Sequence, residues 1–85
     1  MVDYIALIHK EPDSDFGVSF PDFPGCITAG STLDEARRMA TEGLRGHIRS
    51  MVEDGDEIPA PSTFDQVMAD RENREVVAML VCGSW

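Results

Sequence analysis

The stretch Cys26-Ile27-Thr28-Ala29-Gly30-Ser31-Thr32-Leu33-Asp34-Glu35-Ala36 carries the change of hydrophobic period on which the fold turns. Before it, apolar and small or polar residues alternate with a period near two. After it, Leu33, Ala36, Ala40, Leu44, Ile48 and Met51 recur every three or four residues, the stripe of an amphipathic helix over residues 32–53. Thr32 and Glu35 have capping-box spacing, and Asp34 and Glu35 suit the positive start of a helix. Gly43 and Gly46 each weaken that helix by about 1 kcal/mol relative to alanine, so close approach to the sheet or to another helix is expected there. Asp54-Gly55-Asp56 ends it, with Gly55 suited to a left-handed cap.

Upstream lie three short strands. Residues 2–10 are β-branched and aromatic, with a centre apolar on both faces, which suits an interior strand. Glu11-Pro12-Asp13-Ser14-Asp15 is a turn, and Phe16-Gly17-Val18-Ser19-Phe20 alternates as a half-buried strand returning antiparallel. Pro24-Gly25 supplies the two central positions of a type II turn, and Cys26–Ala29 is a third strand. Downstream, Ile58-Pro59-Ala60-Pro61 is held extended by its prolines. Ser62 with Asp65 is expected to cap a short helix over 63–71, with Phe64, Val67 and Met68 facing the core. Glu75 to Val81 reads as a last, almost wholly apolar strand.

The order is β-β-β-α-(short α)-β, an α+β fold in one domain spanning residues 1–85. Sheet order 3-2-1-4 is expected. The apolar run Val76–Val81 suits a strand lying parallel to the first, with the helical region as its crossover. Cys26 and Cys82 then fall on opposite edge strands, too far apart for a disulfide, and both read as small buried hydrophobes.

Composition bounds the function. The chain has 85 residues, 7 Lys+Arg against 16 Asp+Glu, and a net charge of −9. Nucleic-acid affinity rests on basic side chains neutralising phosphates, so a duplex or RNA backbone is not the expected target. No run approaches the roughly 20 apolar residues of a membrane helix. The start, Met1-Val2-Asp3, has no secretory pattern, and two cysteines fit a reduced cytoplasmic setting. The excess negative charge lies outside the main helix, where Arg38, Glu42, Arg45 and Arg49 follow one another at helical spacing as an ion-paired, solvated face.

Several pieces together resemble the N-terminal domain of HicB-like antitoxins. They are the Tyr4-Ile5-Ala6-Leu7-Ile8 strand, the run Phe20-Pro21-Asp22-Phe23-Pro24-Gly25-Cys26, then Thr28, Gly30, Thr32 and Glu35-Ala36, and last Ile58-Pro59-Ala60-Pro61-Ser62. The match covers residues 3–62 well and the last strand loosely. The resemblance implies a partial ribonuclease-H-like fold: a three-stranded antiparallel meander, a helix, and a last strand parallel to the first. It also implies a partner, a small basic mRNA-cleaving toxin of the HicA type. Many members carry a C-terminal DNA-binding segment. This chain stops at Trp85 after the last strand, so no C-terminal DNA-binding domain and no operator binding are expected of these 85 residues.

Against that fold, a two-metal nuclease needs carboxylates converging on the middle of the first strand. Ile5-Ala6-Leu7 stands there instead, so no metal, cofactor or catalytic residue is expected. His9 and His47 read as ordinary boundary residues. The expected activity is binding: an acidic surface that attracts and covers a basic partner. Asp13 and Asp15 in the first turn, and Asp54, Asp56 and Glu57 after the helix, are the candidate contacts. Phe23, set between prolines, is either part of a tight connection or a rigid apolar anchor for the partner. Alternatives are a stand-alone oligomer without a toxin and a vestigial metal-dependent nuclease. A homo-oligomer of at least two copies is expected, joined through an exposed edge strand, either Cys26–Ala29 or the last one.

Overall fold

Alternation of side chains in the strands dictates which face of the sheet is buried. In the computed structural model, which describes residues 3–83, the elements are β1 (Asp3–His9), β2 (Phe16–Ser19), β3 (Ile27–Gly30), α1 (Leu33–Glu53), α2 (Phe64–Ala69), a 3-10 turn at Arg71–Arg74, and β4 (Ala78–Gly83). Trp85 lies outside the described residues. The sheet order is β3-β2-β1-β4. Tyr4, Ala6 and Ile8 of β1, Val18 of β2 and Cys82 of β4 share the face beneath α1. They form the core there with Phe20, Phe23, Cys26, Ala36, Ala40 and Leu44. Leu7, which alternation sends to the opposite face, is also buried, as is Val67 of α2, and neither belongs to that cluster.

The first three strands form the expected meander, with Leu7 opposite Ser19 and Val18 opposite Thr28. The last strand corrects the sequence reading. β4 runs antiparallel to β1, pairing Asp3 with Gly83 through Ile8 with Ala78. The reason is the path of the chain. α1 carries it from the Gly30 end of the sheet to the Tyr4 end, and a direct return would have made β4 parallel. Instead the segment after α1, with α2 and the 3-10 turn, travels back before β4 begins, and Val77 N–H donates to Ile8 O at 2.9 Å. A wholly apolar strand does not specify its direction.

Local chemistry holds the elements in place. Thr32 caps α1, accepting from Glu35 N–H at 3.1 Å, while Glu35 Oε1 accepts from Ser31 N–H. Gly25 (φ 89°) and Gly55 (φ 75°) adopt the left-handed conformations their turns require, and Cys26 N–H donates to Phe23 O at 3.0 Å. Gly43 faces the Thr28 methyl so closely that an alanine Cβ would collide with it, so this glycine sets the approach of α1 to β3. Gly46 has nothing near it. On α1 an exposed salt bridge joins Arg37 to Asp34 at 3.9 Å, outside the Arg38, Glu42, Arg45 and Arg49 series that the sequence suggested.

The short helix also differs from expectation. Thr63, not Ser62, is its cap, in a reciprocal box with Gln66. Phe64 is 58% exposed and only Val67 is buried in α2. The last strand begins three residues later than the sequence suggested, at Ala78.

Candidate functional site: an acidic groove at the end of α1

The groove follows from a mismatch of lengths. Twenty-one helical residues span about 32 Å at 1.5 Å per residue, whereas seven strand residues span about 24 Å. α1 begins beside the last residue of β3, so its final turns project beyond the other end of the sheet. The turn between β2 and β3 and the segment after α1 close around that projection. The cavity between them has a volume of about 460 Å³, lined by Asp22, Phe23, Pro24, His47, Ser50, Met51, Asp54, Asp56, Glu57 and Pro59.

Two contacts over long sequence separations hold the walls. Asp22 accepts from Ser62 twice, from N–H at 2.9 Å and from Oγ–H at 2.5 Å. Tyr4 Oη–H donates to Pro59 O at 2.6 Å. Burial, and then the negative charge of Asp22, push the Tyr4 phenol above its ordinary range. The floor is a ring stack. Phe23 meets Tyr4 edge-on at 4.7 Å between centroids and His47 at 5.7 Å. Such pairs add about 0.5–1.5 kcal/mol beyond burial.

The rim is negative without compensation from the last turn of α1. A helix C-terminus carries partial negative charge and ordinarily attracts Lys or Arg. The last turn of α1 contains no basic residue, and Asp54 caps it with Asp56 and Glu57 following. Asp54, Asp56 and Glu57 are exposed.

Four of the six residues singled out from sequence meet here: Phe23, Asp54, Asp56 and Glu57. Phe23 is 2% exposed, so it is a wall of the groove and not a protruding anchor. Asp13 and Asp15 sit in the turn between β1 and β2, at the other end of the sheet, on a loop closed by Ser14 N–H donating to Glu11 O at 3.2 Å. Sequence reasoning missed the parts played by Asp22, His47, Ser50 and Ser62. One available signal was the length of the helix against the strands. The other was that the two motifs containing Asp22 and Ser62 stand forty residues apart with hydrogen-bonding side chains.

The two thiols belong elsewhere. Cys26 and Cys82 are free and buried, and burial raises both above the ordinary thiol range, which makes them poor nucleophiles. Among the described residues no group of three or more His, Cys, Asp or Glu is placed to hold a metal ion, and no helix is long and apolar enough to cross a membrane.

The domain is thus a small α+β fold whose half-open recess is acidic at its rim and partly aromatic in its floor. The family model of the HicB-like antitoxin of bacterial toxin–antitoxin systems matches residues 4–82, and the chain belongs to that family. It is 37% identical over 78 residues to an uncharacterized 14.9 kDa protein in the rep-hol intergenic region of Haemophilus phage HP1, covering 92% of this chain and 58% of that one. Its fold is similar to the crystal structure of the Burkholderia pseudomallei antitoxin HicB. The TM-score is 0.86 at 28% identity, covering 99% of this chain and 64% of the other. It is also similar, at TM-score 0.77 and 25% identity, to a chain of a HicA3 and HicB3 toxin–antitoxin complex, covering 96% of each. The chain spans about half the length of the curated relatives it matches.

Proposed function

We propose that this chain captures a small basic mRNA-cleaving toxin of the HicA type, and that the groove at the end of α1 receives basic side chains of that partner. The observation that carries the reading is the uncompensated acidity of the groove. A helix C-terminus flanked by Asp54, Asp56 and Glu57, with no basic residue in its last turn, disobeys a rule of local stability. Such departures concentrate where function demands them. Family membership and the likeness to a chain of a toxin–antitoxin complex support a toxin as the partner. The net charge of −9 supports a basic one.

The recess suits arginine or lysine. Met51, Pro24 and Pro59 offer apolar wall to an aliphatic stem, and the carboxylates stand at the rim for its charged end. Binding there covers basic surface that the toxin needs for RNA, which is how a binding protein silences a nuclease without chemistry of its own. Asp13 and Asp15, outside the groove, act at longer range by drawing the partner in.

Calorimetry for affinity and surface plasmon resonance for rates, with a small basic toxin of the HicA type, test the reading. Asp54→Asn, Asp56→Asn and Glu57→Gln together should weaken binding at least tenfold and lower its salt dependence. Asp13→Lys with Asp15→Lys should slow association more than it speeds dissociation. Unchanged affinity in the groove variant would remove the groove from the interface.

A further inference from the structure

We infer that His47 is a proton-sensitive switch in the groove: its neutral ring accepts a hydrogen bond from the cationic head of an entering side chain, and its protonated ring repels that side chain. The inference rests on the reading of the groove as a receptor for basic side chains. The two histidines of the chain differ in what holds them. His9 Nε2 is paired with Ser19 Oγ at 3.0 Å. The ring nitrogens of His47 have no hydrogen-bond partner among the described residues, and the ring meets Phe23 edge-on at 5.7 Å. His47 is half-buried and lines the groove. A neutral imidazole offers one lone pair and one N–H, whereas the imidazolium has two donors and no acceptor. Histidine side chains make this change between about pH 5 and 8.

The charged groups that share the groove with His47 are all acids. Asp22 comes from the turn between β2 and β3, and Asp54, Asp56 and Glu57 come from the segment after α1. The Tyr4 phenol of β1, which also meets Phe23, is neutral throughout this pH range. On α1 itself the positions one turn away are Gly43, Leu44, Ser50 and Met51, none of them charged. Arg45 and Arg49 stand two positions to either side, where helical residues do not face each other, and both are exposed. Among the residues that line the groove, His47 alone can become positive. Its protonation removes the acceptor and places a like charge beside the entering cation. Two such charges about 8 Å apart near a protein surface repel enough to weaken binding roughly three- to thirtyfold. Carboxylates ordinarily titrate below this range, so the rim keeps its charge while His47 changes. Capture is therefore complete above the histidine range, is lost as pH falls through it, and releases a proton to solvent within it.

Calorimetry with a small basic toxin of the HicA type, at about pH 8 and about pH 5.5, tests the switch. The wild-type chain should bind at least threefold more weakly at the lower pH. At about pH 6.5 its binding enthalpy should vary with the ionisation enthalpy of the buffer in the sense of proton release. His47→Gln and His47→Phe, both uncharged, should remove most of the ratio between the two affinities and most of the proton release. A histidine on the toxin would leave that ratio in place in both variants, so the comparison assigns the titrating group. If one variant fails to fold, the other carries the test. Wild-type binding of equal strength at both pH values, or a ratio that persists in the uncharged variants, would overturn the inference and leave the reading of the groove standing. No binding at either pH, or affinity unchanged by the combined Asp54→Asn, Asp56→Asn and Glu57→Gln variant, would overturn both together.

Discussion

Thr28 shows how a single residue in this fold is held at some expense to stability. Its Oγ1 is buried without a hydrogen-bond partner, beneath the part of α1 where Gly43 comes closest. An unsatisfied buried hydroxyl costs about 1–3 kcal/mol. Thr28→Val keeps the shape and the methyl group and removes the unpaired oxygen, so the variant should be more stable by about 1 kcal/mol. Urea unfolding with unchanged m-value measures this, and a loss of stability would mean that the hydroxyl is satisfied. Tyr4 is the second residue with a legible energy. Its pKa lies above the ordinary value, so the stability it contributes is complete below about pH 10 and disappears as pH rises through the higher folded value. Cys26 and Cys82 shift in the same direction, so both add to alkaline unfolding. Tyr4→Phe loses the hydrogen bond to Pro59 O, about 1 kcal/mol at neutral pH, and retains only the thiol part of the alkaline transition. Equilibrium unfolding from pH 7 to 11 checks the sign.

At the scale of the element, α1 reads well from its sequence because its stripe, its cap and its closing glycine are all local, although Leu33, the first residue of the stripe, is 46% exposed. Thr32, Ala36, Ala40, Leu44 and Gly55 take the places their spacing assigns. α2 reads less well. Ser62 and Thr63 are equally good caps by type, and a distant carboxylate, Asp22, takes Ser62 and leaves the cap to Thr63. Phe64, the first residue of that helix, faces solvent, and only Val67 packs inward. The C-terminus of α1 carries a prediction of opposed effects. Asp54→Lys replaces an acid at the negative end of a helix by a base, and should stabilise the fold by about 0.5–1 kcal/mol. The same change should weaken toxin binding. Thermal unfolding and calorimetry on one preparation decide the matter, and a variant improved in both respects would show that the acid serves neither.

At the scale of the molecule, charge separates what the chain attracts from what it repels. Six or more phosphate contacts would consume nearly all of the seven basic residues, four of which share α1 with four acids. A gel shift with the 85-residue chain and the DNA upstream of its own reading frame should therefore show no sequence-specific retardation at physiological salt. Toxin binding, by contrast, should weaken steadily as salt rises, because opposite charges are screened within about 10 Å at 0.1 M.

What the sequence determined by itself is whatever is decided over a few residues: the three-stranded meander, the Pro24-Gly25 turn, the capped helix, the glycine stop and the acidic balance. Two of the motifs behind the resemblance meet in Asp22 and Ser62, and that meeting is a fact of the folded chain. Only the tertiary structure decided the direction of β4, the burial of Phe23 and the convergence of Asp54, Asp56 and Glu57 with it on one groove. The physical reason is the same in each case. Hydrophobic period and turn chemistry act locally, whereas the route of residues 54–77 is held by contacts forty and fifty-five positions apart, Asp22 with Ser62 and Tyr4 with Pro59. That route sets both the end of the sheet from which β4 starts and the wall that turns an exposed acidic tail of α1 into a recess.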